Sequence, residues 1–191
     1  DNICIVVIGG DGTMNEVING IADFDKVRFG IIPTGSGNDF GGGLDLPKSP
    51  EENLQRIISS YKAGEDSYRA VDMGLVRWGQ NQKKLFGISS GIGLDAIVCK
   101  KALTSKLKKV LNKLGLGSLT YVLLTIITLF SMKTADFEIS YDNNKSTLKK
   151  TIFAAAMNLR AEGGGVPMAP DATPYDGKLS ISSASGIPKW I

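Results

Sequence analysis

Two glycine-rich segments hold the residues of this chain whose types and spacing could do chemistry. The segment GGDGT at 9–13 sets one carboxylate, Asp11, among three glycines, and the segment PTGSGND at 33–39 adds hydroxyl and amide donors. Glycine lets the backbone approach a phosphate group without a Cβ in the way, and the amino end of a following helix attracts an anion. Each segment therefore predicts a phosphate cradle, with a tight structural turn as the alternative.

The carboxylate of Asp11 needs a separate explanation, because a carboxylate repels a bound polyphosphate. Its position implies either Mg²⁺ or a substrate hydroxyl whose proton it accepts, and a phosphoryl-transfer site uses both. The alternative is that Asp11 caps a backbone turn. Neither glycine segment matches the Walker P-loop or the dinucleotide fingerprint with its downstream acid.

The two segments can act together only if a parallel sheet brings them side by side. Each follows an apolar run, at 3–8 and at 28–33, that is typical of a strand buried on both faces. Adjacent parallel strands would place both segments at the carboxyl edge of the sheet, where α/β proteins bind ligands.

Two helices are predicted beside these strands. Thr13 and Glu16 have the spacing of a capping box, which predicts a helix over 14–22. Ser49, followed by Pro50 and two acids, predicts a helix that runs to about Lys62. The inner face of this second helix would carry Leu54, Ile57, Ile58 and Tyr61.

Short β-type runs separated by turn-like sequences dominate the chain after Tyr68. The predicted fold is α/β: a parallel-sheet nucleotide-binding domain over 1–67, followed by a mostly β, sandwich-like domain over 68–191. The first strand begins after only two residues, too few to supply the neighbour that a doubly buried strand needs. We therefore expect a fragment, with part of each domain missing beyond the two ends of the sequence.

A long helical stretch over 95–133 interrupts the β-type runs. Its first half is amphipathic and lysine-rich, and its second half, 114–132, carries no charge over 19 residues, which meets the length of a membrane span. Gly115 and Gly117 interrupt that run, so a core helix is the default. A helix whose lysine-rich edge meets anionic headgroups is the functional alternative. The apolar face of the first half comprises Leu103, Leu107, Val110, Leu111 and Leu114.

Composition excludes several kinds of site. The 191 residues are 42% hydrophobic and 21% charged, as in an ordinary globular protein. The chain contains no histidine, which excludes a Ser-His-Asp triad, a Cys-His dyad and most zinc sites. Cys4 and Cys99 form no CxxC pair, which favours reduced thiols in the cytosol. A net charge of +3 is too small to indicate a nucleic-acid partner.

The motifs GGDGTMNEVING (9–20) and PTGSGNDF (33–40) resemble the diacylglycerol kinase catalytic domain of bacterial lipid kinases and sphingosine kinases. The resemblance continues in order through VDMG (71–74), SSGIGLDAIV (89–98) and MNLRAEGGGVPMAPDATPYDGKLSI (157–181). GGDGT by itself is shared with NAD kinases and phosphofructokinases, whereas the GGG, APDA and DGKL segments are typical of the lipid branch.

This resemblance implies an ATP-dependent lipid kinase of phospholipid metabolism, which transfers the γ-phosphate to a lipid hydroxyl such as that of diacylglycerol. It implies an α/β domain that holds ATP and a β-sandwich domain, with the lipid entering between them. The enzyme would be cytoplasmic and peripherally bound to the inner membrane surface.

The resemblance also implies site residues. Residues 10–16 would line the ATP phosphates and Ser36 would touch the nucleotide, while Mg²⁺ would bind Asp176 and the main-chain oxygens of Thr173 and Lys178. We expect Asp11 to be catalytic, and we assign no role to Asp95 or Asp171. With the donors of both segments, the expected nucleotide-binding residues are Gly9, Gly10, Asp11, Gly12, Thr13, Met14, Asn15, Glu16, Thr34, Gly35, Ser36 and Asn38.

The sequence departs from the family in three places. A nucleotide loop expected before the first strand and a downstream DGE motif, whose acid acts as general base, are both missing from it. The three glycines at 41–43 replace helix formers, at a cost of roughly 1 kcal/mol each relative to alanine. Since general-base catalysis typically supplies ~10²–10⁴-fold, we expect the chain by itself to be inactive or impaired. The alternatives are an NAD kinase-like enzyme with a soluble substrate and a non-catalytic nucleotide- or lipid-binding module.

Overall fold

The computed structural model describes the backbone of residues 3–104 and 117–189, and the side chains of 3–101 and 123–189. The chain forms two compact units. Unit 1 comprises Asp1–Ser89 and Met157–Ser180, and unit 2 comprises Ser90–Ala156 and Ile181–Ile191. Unit 1 thus takes in two segments from the range predicted for the second domain. A compact unit of the structure is not the same as a domain of the sequence. The predicted domain ranges 1–67 and 68–191 therefore stay a prediction.

Unit 1 is built on the two predicted parallel strands. Strand β1 (Ile3–Gly9) pairs with β2 (Val27–Pro33) in a register that sets Gly9 opposite Pro33. The prediction that β1 is buried on both faces is wrong for this structure, since Val7 is buried but Ile3 and Ile8 are 58% and 65% exposed. The physical reason is that Val6 and Ile8, 42% and 65% exposed, share one face of the strand, and no other layer of the described part of the chain covers that face.

Helix α1 (Asp11–Gly20) follows β1 directly, with Gly10 as its N-cap. The predicted capping box of Thr13 and Glu16 is wrong, because the helix begins two residues before Thr13 and that residue lies inside its first turn. The side chain of Thr13 instead packs against Gly9, where an added Cβ would lie 2.8 Å from the Thr13 Cβ. The helix buries Met14 and Ile18 in the core of unit 1, which also contains Val7, Phe40 and Leu159.

Helix α2 (Asp39–Gly43) is the short helix that carries three glycines. Two of them permit close packing. A Cβ at Gly41 would lie 2.6 Å from Pro33 Cγ, and one at Gly43 would lie 2.6 Å from Leu159 Cδ1. The glycines that weaken this helix therefore let it lie tightly against β2 and against Leu159.

Helix α3 (Pro50–Ala63) begins as predicted, with the Ser49 hydroxyl accepting from the Glu52 N–H at 3.2 Å. Its inner face was predicted wrongly, because Leu54, Ile58 and Tyr61 are 45%, 44% and 63% exposed. Ile57 does face the sheet and fills the space above Gly30. The two-stranded sheet is too narrow to cover more of the helix.

Unit 1 also contains two short 3-10 helices (Phe24–Lys26 and Glu65–Ser67) and two hairpins. Strands β3 (Gly74–Trp78) and β4 (Gln82–Phe86) are antiparallel, and the Asn19 side chain of α1 exchanges two hydrogen bonds with the backbone of Leu85 in β4. Strands β9 (Ala161–Glu162) and β10 (Val166–Pro167) flank the glycine triplet 163–165. Both hairpins pack on elements that carry the two glycine segments.

The region after Tyr68 is mostly β, as predicted, and five of its strands lie wholly or partly in unit 2. Strand β5 (Ser89–Gly93), which starts at the boundary, forms a three-stranded sheet with β8 (Phe153–Met157) and β11 (Ser180–Ala184). Strands β6 (Ala135–Tyr141) and β7 (Asn144–Thr151) form an antiparallel pair. The predicted fold class, α/β with a mostly β second region, is confirmed.

The predicted helical stretch 95–133 contains two helices, α4 (Leu94–Thr104) and α5 (Gly117–Ser131), which pack on each other. The predicted apolar face at 103–114 lies outside the described side chains. Within the parts of the chain that the structure describes, no helix combines the length and apolarity needed to cross a membrane.

Candidate functional site

The two glycine segments meet at the carboxyl edge of the β1–β2 pair. The Thr34 N–H donates to the Gly9 carbonyl at 2.9 Å. Gly10 and Gly35 touch backbone to backbone, since a Cβ at Gly35 would lie 2.5 Å from Gly10 Cα and one at Gly10 would lie 2.9 Å from Gly35 Cα. The predicted adjacency of the two segments is confirmed, and the contact requires glycine on both sides.

The side chain of Asp11 links the first glycine segment to α2, the helix that follows the second glycine segment. Its carboxylate accepts from the Phe40 N–H at 2.9 Å and from the Asp39 N–H at 3.2 Å, at the start of α2. The capping role left open by the sequence is therefore present, but Asp11 caps a different helix from the one it begins. A carboxylate has about four acceptor positions, so these two bonds leave acceptor capacity on Asp11.

Asp39 is a site residue that sequence reasoning missed. Its carboxylate accepts from the Gly164 N–H at 2.9 Å and from the Gly165 N–H at 2.7 Å. It also lies near Asp11, because a Cβ at Gly37 would be 3.1 Å from Asp11 Oδ2 and 3.3 Å from Asp39 Oδ2. Two carboxylates thus flank Gly37. Asp39 belongs to the PTGSGNDF motif, but its partners lie 125 residues further along the chain.

The partner of Asp39 is the glycine triplet 163–165. All three residues have positive φ angles, of 66°, 91° and 92°, a conformation that costs glycine little. Consecutive N–H groups in such a loop form a concave site for an anion, and here the carboxylate of Asp39 provides that anion. The triplet is therefore docked against α2.

The second glycine segment is held in shape by Asn38. Its side-chain oxygen accepts from the Gly35 N–H at 2.7 Å, and its side-chain nitrogen donates to the Gly35 carbonyl at 3.0 Å. Its φ of 56° places it in the left-handed region. The other predicted donors of this segment, Thr34 and Ser36, lie in the same loop.

The predicted nucleotide-binding residues of the first segment spread over the loop and the first turns of α1. Within the described residues no side chain caps this helix, so no side-chain cap occupies the N–H groups of its first turn. Thr13, Asn15 and Glu16 are exposed, whereas the Met14 side chain is 4% exposed and belongs to the core. Any contact of Met14 with a ligand would therefore involve its backbone.

A cavity of about 550 Å³ opens beside the second segment. Gly37, Asn38 and Asp39 form part of its wall, and Gly164 and Gly165 form another part. Lys48 and Arg160 also line it and bring positive charge. This volume is in the range of small-molecule sites.

The predicted metal-binding segment, 173–178, is tied to Asp72. The Gly177 N–H donates to the Asp72 carboxylate at 2.7 Å, and the Asp72 N–H donates to the Pro174 carbonyl at 2.8 Å. Asp176 is exposed and accepts from the Lys178 N–H at 3.0 Å.

The donor set of this segment suits Mg²⁺. Among the described residues, no three His, Cys, Asp or Glu side chains are grouped to hold a metal. The predicted set needs no such group, because one carboxylate and the main-chain oxygens of Thr173 and Lys178 are hard oxygen ligands and water completes magnesium sites. The second oxygen of Asp176 remains available for a metal.

Asn158 is a second residue that sequence reasoning missed. It is 1% exposed, and its side-chain nitrogen donates to the carbonyls of Asp72 at 2.9 Å and Gly87 at 2.8 Å. Its side-chain oxygen has no hydrogen-bond partner among the described residues. Asn158 is also one of the residues that line a cavity of about 310 Å³, together with Gly177 and Lys178. Buried acceptors of this kind are usually satisfied by water or a ligand.

Comparison with known proteins identifies both regions of the chain. Residues 1–70 match the family model described as the diacylglycerol kinase catalytic domain. Residues 88–189 match the model described as the YegS C-terminal NAD kinase beta sandwich-like domain.

Individual relatives agree with these matches. The chain is 31% identical over 178 residues to a diacylglycerol kinase of Bacillus subtilis, covering 93% of this chain and 53% of the relative. It is 30% identical over 178 residues to a diacylglycerol kinase of Staphylococcus haemolyticus, covering 93% and 48%. A solved structure of a diacylglycerol kinase from Bacillus anthracis aligns with a TM-score of 0.65 at 26% identity, covering 98% of this chain and 55% of that one.

The chain spans about half the length of the curated relatives it matches. The resemblance seen in the motifs is confirmed by these matches. The chain therefore belongs to the family that combines a diacylglycerol kinase catalytic domain with a YegS C-terminal NAD kinase beta sandwich-like domain.

Proposed function

We propose that the protein is an ATP-dependent lipid kinase. In the reaction the oxygen of a lipid hydroxyl, such as that of diacylglycerol, forms a bond to the γ-phosphorus of ATP and gives its proton to a carboxylate or to water. The bond from that phosphorus to the β–γ bridging oxygen breaks, and ADP leaves. The observation that carries this proposal is the backbone contact of Gly10 with Gly35, which places two glycine segments and a helix amino end at one sheet edge. The names of the relatives agree with it.

Backbone N–H groups of the protein would bind the polyphosphate, and side-chain hydroxyls would add to them. The amino end of α1 carries about half a positive charge and unpaired N–H groups, and the hydroxyls of Thr34 and Ser36 add donors. Around Gly12 there is open space, since no atom lies within 4 Å of the position of its Cβ. That space is where we place a phosphate group.

We propose two roles for Asp11 in the same enzyme. It caps α2, and with its remaining acceptor capacity it holds the acceptor hydroxyl or a metal that accompanies the phosphates. Mg²⁺ would also be held by Asp176 with Thr173 and Lys178, where it supplies positive charge and stabilises the loop. We further propose that the enzyme works at the cytoplasmic face of the inner membrane as a peripheral protein.

Replacing Gly12 by alanine tests the phosphate cradle. The new methyl group would occupy the space assigned to phosphate, so we expect ATP to bind about tenfold more weakly. Stability should stay the same or rise by up to about 1 kcal/mol, because alanine is the better helix former. Isothermal titration calorimetry and thermal melting measure the two effects.

Gly20→Ala is the matched control for this variant, since Gly20 lies in the same helix and its Cβ would also meet open space. It should bind ATP like the unmodified protein. Equal ATP affinity in the Gly12 and Gly20 variants would show that no phosphate lies above Gly12.

The proposed Mg²⁺ site predicts a metal-dependent melting temperature. A ligand at a hundred times its dissociation constant stabilises the folded state by ~2.7 kcal/mol, so the unmodified protein should melt several degrees higher with MgCl₂ than with EDTA. Asp176→Ala should remove this difference. Asp171→Ala is the control, because Asp171 is also exposed and lies in the same segment. If Mg²⁺ still raised the melting temperature of Asp176→Ala, the metal would bind at a site other than Asp176.

A kinase of a soluble substrate, such as NAD, is the second candidate. The observation that favours it is the description of the second region as NAD kinase beta sandwich-like. Labelled ATP offered to the full-length protein with either NAD or diacylglycerol in micelles separates the two candidates. ATP binding without phosphorylation of either substrate would support a non-catalytic module.

A further inference from the structure

The segment proposed to bind Mg²⁺, which we call the metal loop (173–178), is attached to the chain just before strand β3. The Asp72 N–H donates to the Pro174 carbonyl at 2.8 Å, and the Gly177 N–H donates to the Asp72 carboxylate at 2.7 Å. These bonds hold the metal loop on both sides of Asp176, the residue whose carboxylate we assign to the metal. One residue, Asp72, therefore fixes both ends of the loop.

Asp72 is in turn held by a buried residue. Asn158 is 1% exposed, and its side-chain nitrogen donates to the Asp72 carbonyl at 2.9 Å and to the Gly87 carbonyl at 2.8 Å. The backbone N–H of Asn158 donates to the Ile88 carbonyl at 2.8 Å. Hydrogen bonds in such a buried network are costly to break. Asp72 is therefore a rigid point of attachment for the metal loop.

Arg69 supplies a further contact to the metal loop. Its guanidinium carbon lies 3.3 Å from the centroid of the Tyr175 ring, and an aromatic face attracts a cation at this distance. Arg69 is exposed, Tyr175 is half-buried, and both lie in unit 1. Tyr175 directly precedes Asp176. The stacking therefore restrains the part of the loop that lies between its two hydrogen-bonded ends.

A second arginine and tyrosine in unit 1 provide an internal comparison. The guanidinium carbon of Arg28 lies 5.8 Å from the centroid of the Tyr68 ring, and Arg28 also forms an ion pair with Glu65 at 2.6 Å. Within the described parts of the chain, Arg69 donates no side-chain hydrogen bond and forms no ion pair. Arg28 thus has a carboxylate partner, whereas the specific partner of Arg69 is the ring of Tyr175.

We infer that Arg69 is a positioning residue for Mg²⁺, which acts through Tyr175 rather than on the metal itself. The inference rests on the Mg²⁺ site of the proposed function and adds to it a residue from outside the loop. A loop that is already held in shape loses less conformational freedom when it binds a ligand, so the stacking should strengthen binding of the metal. The charge of Arg69 acts in the opposite direction, because a guanidinium near Mg²⁺ repels it.

Calorimetric titration of the full-length protein with MgCl₂, without nucleotide, tests this role. Arg69→Met and Tyr175→Leu should each bind Mg²⁺ about fivefold more weakly than the unmodified protein. Loss of the arginine charge alone would strengthen binding, so weaker binding in Arg69→Met separates positioning from electrostatics. Since both changes remove the same contact, the double variant Arg69→Met, Tyr175→Leu should bind no more weakly than either single variant.

Two further variants serve as controls. Tyr175→Phe keeps the aromatic face, so its Mg²⁺ affinity should stay within about 1.5-fold of that of the unmodified protein. Arg28→Met is the matched control, because it also removes an arginine that lies over a tyrosine in unit 1. It should bind Mg²⁺ as tightly as the unmodified protein. Thermal melting in EDTA checks the fold of each variant.

Several results would overturn the inference. Equal or tighter Mg²⁺ binding in Arg69→Met would exclude the positioning role, and additive losses in the double variant would show that Arg69 does not act through Tyr175. An equal loss in Arg28→Met would show that the effect is not specific to the metal loop. If Asp176→Ala lost the metal while Arg69→Met kept it, the proposed Mg²⁺ site would stand without this role. Absence of Mg²⁺ binding to the unmodified protein would overturn both the site and the role.

Discussion

In the full-length protein, replacing Asp11 by asparagine is expected to lower the turnover of lipid phosphorylation at least about a hundredfold while leaving the protein folded. Asparagine keeps one side-chain oxygen, which can still accept from the Phe40 N–H, so the shorter of the two capping bonds on α2 is retained and the bond from the Asp39 N–H is lost. It removes the negative charge that we assign to the metal or to the acceptor hydroxyl. Initial rates at saturating ATP, with thermal melting of the same samples, measure both effects.

The alanine variant separates the two proposed roles of Asp11. Asp11→Ala removes the cap as well, and losing hydrogen bonds to a charged acceptor costs about 1.5–3 kcal/mol. It should therefore melt at a lower temperature than the asparagine variant and be no more active. Asp23→Asn is the control, because Asp23 likewise accepts a backbone N–H, that of Asp25, at the start of a helical turn. Turnover near that of the unmodified enzyme in Asp11→Asn would restrict Asp11 to its structural role.

Replacing Gly35 by alanine is the second substitution with a large expected effect. The added Cβ would lie 2.5 Å from Gly10 Cα and 3.0 Å from Asn38 Oδ1. Because the first neighbour is backbone, the clash is relieved only if the two glycine segments move apart. Overpacking of this kind typically costs about 1–3 kcal/mol. ATP affinity should also fall at least about tenfold, since the segments would no longer be aligned.

The measurements for Gly35→Ala are calorimetric ATP titration and chemical denaturation. The Gly20→Ala variant again serves as control, and comparison with Gly12→Ala is informative because Gly12 has free space and Gly35 has none. We expect Gly12→Ala to lose affinity without losing stability, and Gly35→Ala to lose both. Unchanged ATP affinity in Gly35→Ala would show that the contact between the segments has no part in binding.

Local signals determined much of the fold. The apolar runs that became β1 and β2, the Ser49 cap of α3 and the series of short strands after Tyr68 all depend on neighbours within a few residues, so they can be recognised in the sequence. The meeting of Gly10 and Gly35 was also predictable, because parallel strands bring their carboxyl ends to one edge.

Other features could be decided only by the tertiary structure. The pairing of Asp39 with Gly164 and Gly165 joins residues 125 and 126 positions apart, and no local pattern encodes it. The predicted capping box failed because the strand leads straight into α1 at Asp11. The predicted inner face of α3 failed because the width of the sheet beneath a helix determines how much of it is covered.

The sequence by itself determined the elements, the two glycine segments and the family to which they belong. Tertiary structure decided what each carboxylate contacts and which helix faces are left in solvent. Backbone preferences and hydrophobic periodicity act over one or two turns of chain. The partners of Asp11 and Asp39, and the stacking of Arg69 on Tyr175, follow from how distant segments pack, which depends on the shape of the whole unit.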